Sequence, residues 1–288
     1  MILARSPSEL EPAERAVAIG TFDGVHRGHQ AVIEAARDSG LRSTVVTFEP
    51  HPRLVLGYEV QLLSTWERRV ELLQELAPDE LLAVEFTPEL SRLAPEEFVA
   101  QMLEPMGTRV VFAGEDFRFG AGRRGDLALL RRLGLEVRPV PLVERVSSSR
   151  IRELVRAGDV GAAARLLGRP FELEGTVVAG DQRGGTLGFP TANLALDAHL
   201  IVPAYGIYAG AALGTRAAAS IGVNPHYGGS ERRIEAFLLD WQGDLYGRRL
   251  RLELWERLRD ERAFADEDEL VTQIAEDVAA TRAARRPA

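Results

Sequence analysis

The sequence predicts two unlike folds in one chain. The first is an α/β module with a Rossmann-like parallel sheet, and the second is a small antiparallel β-barrel followed by a terminal helix. Three observations predict this. Apolar strand-like runs alternate with amphipathic helical patterns through the first half, the signature of a parallel sheet with helices on both faces. The character changes at Leu167-Gly168-Arg169-Pro170. Beyond that point short β-rich runs follow one another closely, separated by glycine-containing turns, as in small barrels. The chain of 288 residues suits two domains at roughly 150 residues each, and the boundary falls between modules 1–167 and 168–288.

The expected strands of the first module are Ala16–Ile19, Thr44–Phe48, Leu81–Phe86, Val110–Ala113 and Val137–Val140. Helical patterns at Gly28–Asp38, Trp66–Leu76, Pro95–Met106 and Asp126–Leu133 lie between them, and Ser148–Arg156 and Val160–Leu167 follow. Gly158-Asp159 reads as a helix stop and then an N-cap. The barrel strands are Phe171–Val178, Gly206–Leu213, Ala217–Val223, Ile234–Trp241 and Leu250–Trp255. Asp266 caps the last helix, Glu269 completes a capping box, and Leu270, Val271, Ile274 and Val278 form its apolar face. Arg282, Arg285 and Arg286 suit its C-terminal end.

Composition removes whole classes of chemistry. There is no cysteine and no lysine; all 35 basic residues are arginine. Disulfides, thiolate nucleophiles, cysteine-bound metals, Schiff bases and a Walker A lysine are therefore excluded. Phosphate must be handled by arginine, helix N-termini, backbone N–H groups or a metal. A net charge of −8 argues against a nucleic-acid partner. No apolar run is long enough to span a bilayer. The N-terminus shows no signal-peptide pattern, so no membrane partner and a cytoplasmic location are expected. Self-association into a homo-oligomer stays open.

Two constellations carry chemistry. After the first predicted strand comes Gly20-Thr21-Phe22-Asp23-Gly24-Val25-His26-Arg27-Gly28-His29, a glycine-rich turn entering a helix. This geometry binds phosphate. His26 and His29 share one side of the first helical turn, and Gly28 lets a nucleotide approach the backbone. Such a pair can stabilise charge developing on a transferring phosphorus centre. A zinc site is the rival use of the pair. TFEPHP (47–52) and GEDFRFG (114–120) end at the same C-terminal sheet edge, where ligands bind in open parallel sheets. Ser147-Ser148-Ser149-Arg150-Ile151-Arg152 opens a helix and can cradle phosphates, or simply cap that helix.

GTFDGVHRGH, TFEPHP, GEDFRFG and SSSRIR together resemble the HxGH-type nucleotidylyltransferases. They are most similar to the adenylyltransferase module of the prokaryotic bifunctional riboflavin kinase/FAD synthetase family. That resemblance implies His26 and His29 as catalytic residues. It implies Gly20, Phe22, Asp23, Gly28, Ser148, Ser149 and Arg152 as nucleotide or phosphate contacts, and His51, Asp116 and Phe117 as flavin-side contacts. The family usually has threonine where Ser149 stands.

The second constellation begins with GDQRGGTLGFPTAN (180–193), whose glycine backbone can wrap an anion and whose Thr191 and Asn193 offer neutral oxygens to Mg²⁺. A plain hairpin loop is the alternative. Asparagine occurs only at 193 and 224, so its presence here favours use. Glu235, in an apolar strand, shares a face with Phe237 and Leu239 and can serve as a general base; an ion pair with Arg232 or Arg233 is the structural alternative.

These segments, with YGIYAG, SIGVNPHYGG, RRIEAFLLD and GDLYGRRL, resemble the riboflavin kinase module of the same family. The resemblance implies Glu235 as the base for the ribityl hydroxyl and Thr191 and Asn193 as metal and phosphate ligands. It also implies Gly180 and Gly188 as phosphate contacts and Tyr246 as a flavin contact. The family commonly has a basic residue at Gly185 and threonine at His226. The expected substrates are riboflavin, FMN and ATP, the expected cofactor is Mg²⁺, and the expected products are FMN and then FAD. Two alternatives stand beside this expectation: a chain with one active module, kinase-impaired, and a flavin-binding regulator without turnover.

Overall fold

The computed structural model describes residues 1–141, 143, 146–180, 189–223 and 232–287. Two compact units emerge, Met1–Val60 with Trp66–Ser147, and Gln61–Thr65 with Ser148–Ala288.

The first unit holds strands β1 (Ile2–Ala4), β2 (Arg15–Ile19), β3 (Arg42–Glu49), β4 (Glu80–Glu85), β5 (Thr108–Gly114) and β6 (Glu136–Val140). They form one sheet in the order β1-β4-β3-β2-β5-β6. Every pairing is parallel. Helices α1 (Arg27–Arg37), α2 (Pro52–Val55), α3 (Trp66–Glu75), α4 (Pro95–Phe98) and α5 (Leu127–Arg132) connect them. All five residues of β2 are buried. Val17 and Ile19 pack into one core cluster, Ala16 and Ala18 into another, so the alternating side chains feed a core on each face. The strand order reverses at β2, which puts a crevice at the C-terminal ends of β2 and β5.

Two details differ from expectation. The three-residue edge strand β1, with Ile2 and Leu3 exposed, is too short for a periodic signal. The single helix expected over Pro95–Met106 is α4 followed by a π-helical turn, Val99–Leu103, closed by Glu104 N–H donating to the Val99 carbonyl at 3.0 Å.

At the opposite end of the sheet Arg15 and Glu80, each 1% exposed, form a two-pronged pair at 2.7 and 3.0 Å. Thr44 Oγ1 donates to the same carboxylate at 2.7 Å. Burial alone pushes the Glu80 pKa up. The hydrogen bonds from Arg15 and Thr44 together outweigh it and hold the group below its ordinary value. A lowered carboxylate pKa contributes stability above the unfolded value, lost as pH falls through the folded one. Glu80→Gln is thus expected to cost about 3–5 kcal/mol at neutral pH. Urea melts should show the gap to the wild type narrowing below about pH 4.

The second unit contains α6 (Ser148–Arg156), α7 (Val160–Leu167), β7 (Phe171–Val178), β8 (Ala192–Leu196), β9 (Gly206–Ala212), β10 (Thr215–Val223), β11 (Arg232–Leu238), β12 (Arg249–Arg259) and α8 (Glu267–Ala283). The strands close a barrel in the order β10-β11-β8-β7-β12-β9. Strand β8 was not expected, because Asn193 and the adjoining glycine loop mask its short pattern.

By packing, α6 and α7 join the second unit. Ile151, Val155, Val160, Ala163 and Leu167 of α6 and α7 belong to the barrel's own core cluster with Phe171, Tyr208 and Leu252. Residues Gln61–Thr65 also join this unit. Leu62 N–H donates to His199 O at 2.7 Å, Ile201 N–H to Leu62 O at 2.9 Å, and Thr65 Oγ1 to Glu174 at 2.6 Å.

Asp266 caps α8 by accepting from Glu269 N–H at 2.8 Å. Glu269 reaches back to Ala265 N–H at 2.9 Å, one residue before the position a capping box uses. Arg282 pairs with Asp240 and Arg286 with Glu253. The C-terminal carbonyls Thr281 O and Ala284 O instead accept from Arg216 of β10, at 2.9 and 2.6 Å.

Candidate functional site

In the first unit the C-terminal end of β2 runs directly into the histidine turn. Gly20 N–H still donates to Val46 O at 3.1 Å, and the chain then leaves the sheet. Phe22 (φ 49°) and Val25 (φ 40°) adopt the left-handed region on either side of Gly24 (φ 76°). This is costly for non-glycine residues and above all for β-branched valine. His26 is the N-cap of α1, its Nδ1 accepting from His29 N–H at 3.3 Å.

The two imidazoles stack with centroids 3.5 Å apart and planes at 17°. Phe22 meets His29 edge-on at 5.3 Å. A Cβ on Gly28 would sit 3.3 Å from the His26 ring, so glycine here makes room for the ring as well as for a ligand. Asp23 is buried inside the turn. Both histidines thus sit at the N-terminus of α1, the helix end that favours an anion.

The other expected residues of this unit divide. His51 is buried and caps α2, its Nδ1 accepting from Arg53 N–H at 3.2 Å. Phe117 stacks on Phe119 at 5.7 Å beyond β5, and Asp116 is exposed beside it. Ser148, Ser149 and Arg152 lie in the second unit by packing. Arg152 there is 7% exposed and its Nε donates to Gln61 O at 2.6 Å.

In the second unit the barrel register builds a row of side chains across its outer face. Asn193 of β8 pairs with Glu235 of β11, Glu235 with Ser220 of β10, Ser220 with Ile207 of β9, and Ile207 with Arg259 of β12. Residues directly opposite across strands share a face. Thr191 Oγ1 donates to Glu235 Oε2 at 3.2 Å. The Asn193 amide lies over Gly180, where a Cβ would come within 2.1 Å of Nδ2, so any side chain at 180 would displace the Asn193 amide.

Glu235 and Thr191 line a cavity of about 300 Å³. Its apolar wall includes Phe189, Phe237 and Phe264, and α8 contributes Leu270, Ile274 and Val278. The apolar stripe of α8 thus faces this space, which explains why its residues are only half-buried. Phe189 and Phe237 meet edge-on at 5.4 Å. Arg259 and Asp277 form a two-pronged ion pair at the rim, at 2.9 and 2.7 Å.

Leu239 lies beyond the end of β11, so within the strand Glu235 shares its face with Arg233 and Phe237. Tyr246 is 53% exposed and does not line the cavity. Gly185, Gly188 and His226 lie outside the described residues. Phe189, Phe264 and Asp277 were missed in the sequence; Phe237 was legible through its alternation with Glu235.

Comparison with known proteins follows this two-site plan. Residues 8–152 match the FAD synthetase family model and residues 167–285 the riboflavin kinase family model. The bifunctional riboflavin kinase/FMN adenylyltransferase of Escherichia coli K12 is 35% identical over 281 residues, covering 91% of this chain and 90% of that protein. The protein of the same name from Pseudomonas fluorescens is 38% identical over 313 residues, covering 100% and 99%.

The chain belongs to the bifunctional riboflavin kinase/FMN adenylyltransferase family.

A solved structure titled as a macrolide-efflux protein from Streptococcus pneumoniae shares this fold, with a TM-score of 0.88 and 32% identity over 98% of both chains. Among the described residues here no helix is long and apolar enough to cross a membrane. The FAD synthetase match extends through Ser148, Ser149 and Arg152, which packing places in the second unit, and the riboflavin kinase match begins at residue 167. The riboflavin kinase match takes in the whole cross-barrel row from Asn193 to Arg259.

Proposed function

We infer that this chain phosphorylates riboflavin with ATP to give FMN and ADP. It then transfers AMP from a second ATP to FMN, giving FAD and pyrophosphate. The observation that carries the kinase half is the Glu235 carboxylate, held by Thr191 and set opposite Asn193, at the wall of an apolar cavity. The cavity lies at the small end of the range for ligand pockets. It suits a flat, largely apolar ring system with a polar chain directed at the carboxylate.

Glu235 takes the proton of the ribityl 5′-hydroxyl as its oxygen bonds to the γ-phosphorus. The bond from that phosphorus to the β,γ-bridging oxygen breaks, and ADP leaves. Thr191 Oγ1 and the Asn193 amide oxygen are neutral oxygen donors that fit Mg²⁺ and would hold it beside the Glu235 base. When bound, Mg²⁺ supplies neutralisation of phosphate charge.

At the sheet edge a phosphate oxygen of FMN bonds to the α-phosphorus of ATP and the α,β-bridging bond breaks. His26 and His29 donate to the oxygens on which charge builds, and the α1 N-terminus adds backbone donors. Phe117, backed by the buried Phe119, offers an aromatic face for the flavin. His51, Asp116 and Tyr246 as flavin contacts, and Ser148, Ser149, Arg152 and Gly188 as phosphate contacts, rest on the family motifs. The proposed compartment is the cytoplasm.

The test supplies riboflavin or FMN separately with ATP and Mg²⁺ and separates the flavins by chromatography. Riboflavin should yield FMN and then FAD, and FMN should yield FAD directly. Chelation should stop both steps and added Mg²⁺ restore them. FMN without FAD would contradict the adenylyl step. FAD from FMN alone, with riboflavin untouched, would contradict the kinase step. Tight flavin binding with no product would indicate a regulator.

A further inference from the structure

The histidine turn is strained, and something must hold it. Two of its non-glycine residues, Phe22 and Val25, have left-handed backbones, which costs of order 1–3 kcal/mol each and persists only where the surroundings over-determine it. The hydrogen bonds show where the restraint comes from. Gln30 Nε2 donates to Val25 O at 2.9 Å, fixing the exit. At the entry, the Thr21 carbonyl receives two donors, Thr47 Oγ1 at 3.2 Å and Arg69 Nη1 at 2.9 Å.

Arg69 is an unusual residue for that task. It stands on α3 and is 2% exposed. Its Nη2 donates to the Glu49 carboxylate, which ends β3 just before the TFEPHP turn closes. Its guanidinium carbon lies 4.9 Å from the Trp66 ring centroid. Its Nε is buried without a hydrogen-bond partner, so the fork is not placed for its own best satisfaction. Burial works against its charge, with Glu49 and Asp23 offsetting that cost in turn. A rigid two-armed donor that spans two loops is what guanidinium offers and ammonium does not.

We propose that Arg69 is a positioning residue for adenylyl transfer. By bridging the Thr21 carbonyl to Glu49 it locks the strained Thr21–Val25 turn and so sets the stacked His26/His29 pair against the nucleotide. Arg69 touches neither histidine and no reacting atom; it acts through the turn. The proposal rests on the reading of His26 and His29 as the adenylyl-transfer residues.

The test is single-turnover FAD formation from FMN and ATP with enzyme in excess, in which the rate constant does not depend on the fraction of chains folded. Arg69→Met should lower that rate constant about 100-fold, as displacement of a catalytic group by about 1 Å does. ATP affinity should change far less. Arg69→Lys, which keeps the charge beside Glu49 but cannot bridge both acceptors, should recover part of the loss and remain at least fivefold slow. A merely structural role would lower the yield of folded enzyme and its melting temperature and leave the rate constant within twofold of wild type, and that overturns the proposal. Should Arg69→Met fail to fold, Arg69→Lys decides alone: an unchanged rate constant overturns the proposal. His29→Ala in the same assay separates the two levels. If it retains full rate, the reading of the histidine turn fails; if it is inactive while both Arg69 variants are fast, only the Arg69 proposal fails.

Discussion

Glu235→Gln leaves a chain that makes FAD from supplied FMN and makes almost no FMN from riboflavin. The amide is isosteric, and its oxygen can still accept from Thr191 Oγ1, so the barrel row from Asn193 to Arg259 keeps its geometry. What disappears is the acceptor for the ribityl proton. General-base removal costs about 10²–10⁴-fold, and the kinase kcat is expected to fall by about 10³. Riboflavin affinity should hold, because the cavity wall of Phe189, Phe237 and Phe264 is untouched. Parallel assays with riboflavin and with FMN check this. Equal loss of both activities would mean that the two sites do not operate independently.

His29→Ala should produce the mirror image: riboflavin is converted to FMN, which accumulates, and FAD formation falls by about 10²–10³-fold. His29 is the cleaner position for this substitution. His26 is also the N-cap of α1, so His26→Ala removes a cap worth about 1 kcal/mol together with the imidazole. His26→Asn keeps a side-chain oxygen for the cap and removes only the ring. It should match the activity loss of His29→Ala with little change in melting temperature. Chromatography of a riboflavin reaction reads both variants directly, as FMN without FAD.

Much of this was legible because local chemistry declared it. An all-apolar strand, a glycine turn and two histidines three residues apart place the first site before any tertiary contact is known. The alternation of Glu235 with Phe237 places the second. What was hidden depends on contacts distant in the chain. Arg69 meets Thr21 across 48 residues and Glu49 across 20, and its own helix shows only another arginine among charged neighbours. Gln61–Thr65 reads as a connector, yet it bonds to segments more than 100 residues away. Arg152 reads as an anion ligand from its place at a helix start, but its Nε is spent on the Gln61 carbonyl. The α8 stripe signals a packed face, whereas it lines a cavity, a distinction no periodicity contains. The lysine-free composition fits both proposed sites, which offer histidine, hydroxyl, amide, carboxylate and backbone N–H in place of lysine.

The central claim is that one chain performs two chemically distinct transfers at two sites. Isotope placement tests it most directly. Riboflavin is incubated with the protein, Mg²⁺ and ATP labelled either at the γ- or at the α-phosphorus. FMN should carry only the γ label. FAD should carry one phosphorus from the γ position of one ATP and one from the α position of another, with the remaining label of the second ATP released as pyrophosphate. FAD lacking either label, or FMN carrying the α label, would contradict the account.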